Sequence, residues 1–348
     1  MQDRIDTTGA RALHVSRATR TTRIAMAALA AAVLVMAAAP WWAGRADLRL
    51  FGEIFLYMSL ATLWNLLAGY AGLVSVGQQA FVGLGGYAFF AGTLILGLNP
   101  WAALPLAALA GAVVAAPVAV LIFRLRGAYF AIGTWVVAEM ARLIFAQVGP
   151  LGGGSGTSLS PAIVKGLAEG RDAREAAIYW LSLGLCALVI GAALGLLRSR
   201  RGVALTAIRD NELAARSLGI DVWRAKFGVY VLTGALTALA GALIFLQKLR
   251  ISPDAAFSVN DWTAIVIFIT VIGGIGTLEG PILGTLVYFA LRETLADLGP
   301  VYLIALGAAA ILIMLKAPRG LWGLIRARTG ADLFPLSRRV RGLSRKGA

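Results

Sequence analysis

Apolar runs of membrane-spanning length recur along almost the whole chain, separated by short polar or basic joints. They fall at approximately 24–39, 50–69, 79–97, 101–122, 128–148, 177–197, 226–246, 260–275, 281–297 and 301–316. A helix needs roughly 20 apolar residues to cross the hydrocarbon of a bilayer. The pattern therefore predicts an all-α fold: a polytopic membrane helix bundle of about ten transmembrane spans, the two shortest runs counted separately. Glycine and proline interrupt the third and eighth runs, so broken helices are expected there.

Composition leaves little room for anything else. Of 348 residues, 59% are hydrophobic and 14% charged, and the mean hydropathy is +0.80, outside the range of water-soluble domains. The single cysteine, Cys186, lies in the apolar run Tyr179–Leu197, where no intrachain disulfide can form and a packing role is expected. A formal charge of +15 would suit nucleic acid if it were concentrated in one domain. Here the Lys and Arg residues are parcelled between apolar runs, which reads as a topology signal and argues against a nucleic-acid partner.

Basic residues near span ends stay in the cytoplasm. With the N-terminus inside, about 23 of the 32 Lys and Arg residues fall in the cytoplasm and about 7 outside. Arg4, Arg11, Arg17, Arg20 and Arg23 precede the run Ile24–Ala39, an arrangement that imitates a secretory signal. Pro40 disfavours cleavage directly after Ala39, so an uncleaved first span is expected. The organisation is then a basic cytoplasmic arm at 1–23, a transmembrane domain at 24–318 with a cytoplasmic loop at 198–226, and a basic cytoplasmic tail at 319–348. The glycine- and serine-rich stretch 149–175 falls outside.

Chemistry of the enzymatic kind finds no footing. The only histidine, His14, sits in the basic arm, and no Cys or His cluster has metal-ligand spacing. The phosphate loop G-x-x-x-x-G-K-[ST] does not occur either, so ATP could drive this chain only through a partner that binds the nucleotide.

The informative residues lie inside the spans. In Gly72–Tyr87, GLVSVGQQAFVGLGGY, a helix from Ser75 to Gly86 would align Ser75, Gln79, Gly83 and Gly86 on one small and polar stripe. Close helix packing also suits such glycines. Gln78 and Gln79 are harder to assign to packing, since each buried amide needs hydrogen-bond partners. In Phe123–Phe145, Glu139 falls roughly 16 Å deeper than Ala128 at 1.5 Å per residue, near the midplane. Arg142 is its partner, on the same face of the helix. Intramembrane charges mark pathways by default, and a structural pair locking two helices is the other reading. Ile272–Gly284, IGGIGTLEGPILG, breaks an apolar stretch too long for one span, and its freed backbone groups require burial in protein or a wet cavity. In the cytoplasmic loop, Asp210 as N-cap and Gly219 as C-terminal stop frame a short helix Asn211–Leu218, with Ala204, Leu205 and Ile208 giving an adjoining apolar face.

Four ordered stretches, GLVSVGQQAFVGLGGY, FRLRGAYFAIGTWVVAEMARL, GVALTAIRDNELAARSLGID and VIGGIGTLEGPILG, together resemble the LivM-type permeases of branched-chain amino acid ABC importers, within the hydrophobic amino acid and urea importers. The resemblance covers about Gly69 to Arg319. It departs where many members have a Gly-His or Gly-Gln pair and this chain reads Gly77-Gln78-Gln79, and where Gly152–Gly156 lacks the family's usual Asn. It implies a multi-pass subunit of the bacterial inner membrane that moves a small polar solute, most simply an amino acid, into the cytoplasm. It also implies a LivH-like second permease, two cytoplasmic ATP-binding subunits that hold ATP and Mg, and a periplasmic solute-binding protein, with no cofactor in this chain. On that basis the solute path is assigned to Ser75, Gln78, Gln79, Gly83, Tyr87, Tyr129, Thr134, Glu139, Gly273 and Gly274. ATPase coupling is assigned to Arg209, Asp210, Glu212, Arg216 and Gly219. An ion-coupled secondary transporter, with Glu139 and the broken helices at its coupling site, is the competing reading.

Overall fold

The computed structural model describes residues 14–16, 20–295, 304, 307–308, 311–313, 315, 317, 320–329, 334 and 339–341. The longer helices follow the apolar runs: α1 Arg20–Ala37, α2 Arg45–Asn65, α3 Gln78–Leu94, α4 Pro100–Ile122 and α5 Ala128–Ala146. A short α6, Pro161–Lys165, precedes α7 Arg171–Arg198, α8 Arg200–Asp210, α9 Glu212–Ser217 and α10 Val222–Lys248. The chain continues through α11 Pro253–Ala256, α12 Ile265–Gly273, α13 Glu279–Leu295 and α14 Gly320–Thr329. The strands are only two or three residues long. β1, His14–Ser16, pairs with β4, Arg339–Arg341, and β2, Thr157–Ser158, pairs with β3, Arg250–Ile251, both antiparallel.

Among the described residues, six helical stretches are long and apolar enough to cross a membrane: Arg45–Tyr70, Pro100–Ile122, Ala128–Ala146, Arg171–Arg198, Val222–Lys248 and Pro253–Gly273. The first expected run appears as the shorter apolar helix Met26–Trp41, and α3 and α13 have 17 residues each. The tenth expected run, 301–316, lies largely outside the described residues.

Small residues set how closely the central helices approach. α10 packs against α2, α3 and α4, and a Cβ at Gly85 would collide with the Ala238 carbonyl, at Gly241 with that of Val82, and at Gly111 with that of Gly234. Without a hydrophobic driving force between helices in lipid, such backbone proximity is what dispersion packing needs. Pro105 and Pro117 lie inside α4, where each removes one intrahelical hydrogen bond.

The bundle has two chemically distinct ends. At one end, Arg45 pairs with Asp172, Arg49 reaches Glu175 at 2.5 Å, and β2 lies beside β3. At the other, the end of α2 meets the 274–278 break and the α8 terminus. α2 and α7 therefore start together and run parallel, while α10 runs against them.

Candidate functional site: two broken spans and the loop between α7 and α10

The expected helix from Ser75 is not formed. α2 continues as a π-helical turn, Leu66–Tyr70, and the chain from Ala71 to Gly77 is irregular, so α3 starts only at Gln78. Gly72, at φ +69, makes the reversal that an L side chain resists. The Ser75 stripe is thereby broken, with Gln79, Gly83 and Gly86 on α3 and Ser75 ahead of it.

Side chains from two other elements, α2 and α5, help to satisfy this irregular backbone, as a nonaqueous setting requires. The Trp64 indole Nε1 donates to the Ser75 carbonyl at 2.8 Å, and the Val76 N–H donates to Thr134 Oγ1 at 3.0 Å. The Gly77 N–H donates to Ser75 Oγ at 3.2 Å. Gln78 Nε2 donates to the Leu60 carbonyl at 2.9 Å, and the Thr263 hydroxyl donates to Gln79 Oε1. Gln78 Oε1 is buried with no hydrogen-bond partner among the described residues, in a small cavity it shares with Ser75, Trp64, Thr233 and Thr237.

The second break falls where the glycines predict it. α12 stops at Gly273, Gly274 has φ +128 and Gly276 φ +76, and α13 begins at Glu279. A Cβ at Gly273 would strike the Gly280 carbonyl, so the two half-helices cross backbone to backbone.

Asn65 joins the two breaks. Its Oδ1 accepts from the Gly276 N–H at 2.8 Å and its Nδ2 donates to the Thr277 carbonyl at 2.7 Å. Gly69 lies against the Gly276 backbone with no room for a Cβ. Arg209, the penultimate residue of α8, donates from Nη1 to the Gly69 carbonyl at 2.8 Å and is held by Asp210 at 2.7 Å.

The helix in the loop between α7 and α10 is shorter than expected and capped by a different residue. Asp210 is the last residue of α8; Asn211, with extended φ −157, is the N-cap, and its Oδ1 accepts from the Ala214 N–H at 3.0 Å. An N-cap needs extended backbone, which Asp210 lacks while it remains helical. Gly219 has φ +79, and the Gly219 and Ile220 N–H groups reach the Arg216 and Ala215 carbonyls at 2.9 and 3.1 Å, a Schellman stop. Glu212 binds Arg216 and Lys226, each at 2.7 Å. The Lys226 hydrogen bond, with the nearby positive charges, holds its carboxyl below the ordinary Glu value despite partial burial. Leu213 and Leu218 remain exposed at 74% and 79%.

The other expected path residues do not join one site. Gly83 packs against Phe257, and buried Tyr87 stacks between Phe145 and Phe257 at 4.5 and 6.0 Å. Tyr129 is exposed on α5. Glu139 is half exposed, and Arg142 bridges it at 2.6 Å to Asp254 at 2.8 Å. Sequence reasoning missed Asn65, Trp64, Thr263 and Asp254. Asn65 could have been found, as a lone amide in an apolar run beside Gly69.

The family profile described as branched-chain amino acid transport system / permease component matches residues 47–318. The high-affinity branched-chain amino acid transport system permease protein LivM of Salmonella typhimurium is 29% identical over 318 residues, covering 85% of this chain and 74% of its own. The probable LivM of Methanocaldococcus jannaschii is 26% identical over 274 residues, covering 69% and 78% respectively. The probable LivH of that organism is 30% identical over 98 residues, 28% of this chain and 30% of its own. No solved structure matches this chain at a significant level. With a profile spanning most of its length and the broken-helix bundle described above, the chain belongs to the permease components of the branched-chain amino acid transport systems.

Proposed function

We propose that this permease subunit carries a branched-chain or other hydrophobic amino acid through the bacterial inner membrane into the cytoplasm. It pairs with a LivH-like second permease, receives solute from a periplasmic binding protein, and is driven by two cytoplasmic subunits that bind ATP and Mg. The names of the relatives support the solute class. The hydrogen bond from Arg209 to the Gly69 carbonyl carries the coupling. It connects the 200–221 segment to the point where both broken spans meet, so a push on that segment reaches the irregular backbone around Ser75 and Gln78.

The exposed Leu213 and Leu218 are the apolar anchors on which an ATPase docks, with the Gly219 stop fixing their presentation. A Cβ at Gly219 meets nothing within 4 Å, so Gly219→Val acts through backbone conformation alone. It should leave the protein in the membrane yet reduce co-purification of the ATPases, while Gly219→Asn retains them. Proteoliposomes holding all subunits should import L-leucine with ATP and be indifferent to ionophores. Uptake driven by an ion gradient without ATP would replace this reading with secondary transport.

The bias in basic residues supports both termini in the cytoplasm, with Ser155 and Lys165 outside. Cysteines placed at those two positions should react with an impermeant maleimide in intact cells, and a cysteine at Arg209 should not.

A further inference from the structure

The end of the bundle opposite the coupling loop holds a second feature that the transport reading does not use. The first turns of α2, the last turn of α10, the chain ahead of α12 and the last turns of α13 surround a cavity of about 460 Å³, the size of a small-molecule site. Its lining is divided. Leu50, Leu56 and Ile244 form an apolar wall, Tyr57 and Trp262 an aromatic floor, and Glu53, Lys248, Arg292 and the Glu175-paired Arg49 a charged rim.

These groups are held in place before any ligand arrives. The Tyr57 and Trp262 rings stack at 5.8 Å and 29°, and Trp262 Nε1 donates to the Ala255 carbonyl at 2.7 Å. Arg292 grips Glu53 through two hydrogen bonds, of 2.9 and 3.1 Å, and lies over the Phe289 ring. Gln247 fastens α10 to α2 by donating to the Arg49 carbonyl at 3.1 Å. The Lys248 ammonium sits 4.7 Å above the Trp262 ring and has no carboxylate partner among the described residues. Such an ammonium, beside an Arg–Glu pair and an aliphatic wall, complements a small molecule bearing a carboxylate, an ammonium and an apolar side chain.

We propose that this cavity is a subsite for a free aliphatic α-amino acid, occupied on its way into the bundle. Lys248 takes the carboxylate, Glu53 takes the ammonium while keeping Arg292, and Leu50, Leu56 and Ile244 take the side chain. Because the cavity is at the end where Arg45 and Arg49 begin α2, it faces outside in the orientation proposed above. The inference rests on the amino acid reading, and it adds a residue-level site remote from the two breaks.

The chain's lone cysteine, Cys186, is buried, so a cysteine introduced at the exposed rim residue Ala46 reports on the cavity by itself. Intact cells carrying Ala46→Cys with all partner subunits are treated with an impermeant maleimide. L-leucine at about ten times its dissociation constant should slow labelling about tenfold, by mass action, whereas L-leucinamide, which lacks the carboxylate, should not. Adding Lys248→Gln should abolish the protection, and adding Lys165→Gln should preserve it. Absence of labelling from outside, equal protection by leucinamide, or protection that survives Lys248→Gln would each overturn the site. ATP-driven L-leucine uptake is measured in parallel by the same cells. Uptake without protection discards the cavity and keeps the transport reading; protection without uptake keeps the cavity and discards the transport reading.

Discussion

The Arg209 guanidinium donates to the Gly69 carbonyl at 2.8 Å, although the two residues are 140 positions apart. Gly69 is in the π-helical end of α2, and Arg209 is on the loop proposed to meet the ATPases. This carbonyl is a place where such a loop can grip a span end, because a π-helical turn displaces carbonyls from the regular ladder.

Arg209→Ala should therefore weaken uptake while leaving ATPase association intact. Hydrogen bonds to charged groups contribute roughly 1.5–3 kcal/mol, and the partial exposure of Arg209 places this one at the lower end. About a tenfold loss of uptake per ATP hydrolysed corresponds to that range. Arg209→Lys keeps the charge but not the planar donors, and should recover only part. Uptake and hydrolysis measured together in proteoliposomes check this; a parallel fall in both would mean that Arg209 anchors the ATPase instead of transmitting its motion.

Asn65→Leu should be more damaging to the fold. It leaves the Gly276 N–H and the Thr277 carbonyl without the partner each has now, at a cost of about 1–3 kcal/mol for a buried group. Asn65→Asp keeps the acceptor for Gly276 and loses the donor to Thr277, so it should fall between. The measurement is the midpoint of thermal aggregation of the purified protein in detergent, in the order wild type, Asp, Leu. Equal midpoints for Leu and wild type would show that the two breaks are held together by backbone packing alone.

Where the chain announced its own geometry, local chemistry was sufficient. Glycines at 273, 274 and 276 followed by Pro281 could only interrupt a span, and Gly219 after a run of helix formers could only stop a helix in the left-handed region. The irregular segment 71–77 was not legible in this way. Its residues alternate apolar with small in a manner equally suited to a helix, and the groups that satisfy its backbone, Trp64 and Thr134, come from other elements. A threonine in a span bonds its own helix by default, as Thr134 also does to the Ala131 carbonyl at 2.8 Å. Nothing local revealed its second role. Asp254 was overlooked for a related reason: its partner, Arg142, already had an adequate one three residues away.

The Glu212 carboxylate gives the loop a defined pH response. Hydrogen bonding and attraction from Lys226, with help from Arg216, lower its folded-state value below 4.5. A depressed carboxylate contributes stability that is fully present above its unfolded value and is lost as pH falls through the folded one. The order of α9 against α10 should thus be constant from pH 8 down to the ordinary Glu value of 4.5 and decline progressively below it. Lys226→Met removes the largest cause and should shift that decline upward. Hydrogen exchange of the Ala214–Ile220 amides across this range checks it; a decline centred near neutral pH would assign the change to another group.

Glu139 and Arg142 form an ion pair on α5, but Arg142 also binds Asp254 at 2.8 Å, at the start of the Pro253–Gly273 stretch. This second carboxylate changes what substitution should do. If Glu139 were the only partner, Glu139→Leu would strand the guanidinium. With Asp254 present, Arg142 keeps a full ion pair after loss of either carboxylate. Glu139→Leu and Asp254→Leu should each destabilise the protein by no more than about 1 kcal/mol, the range of partly exposed pairs. The double substitution leaves a half-buried cation with no partner in the network, so its effect should exceed the sum of the singles by more than about 0.5 kcal/mol. Glu139→Gln should be milder than Glu139→Leu, since the amide still accepts from Arg142. Thermal midpoints of the four proteins, with L-leucine uptake alongside, make the cycle. Strict additivity would mean that the two carboxylates do not share Arg142, and a large effect of Glu139→Leu alone would restore it as the indispensable partner.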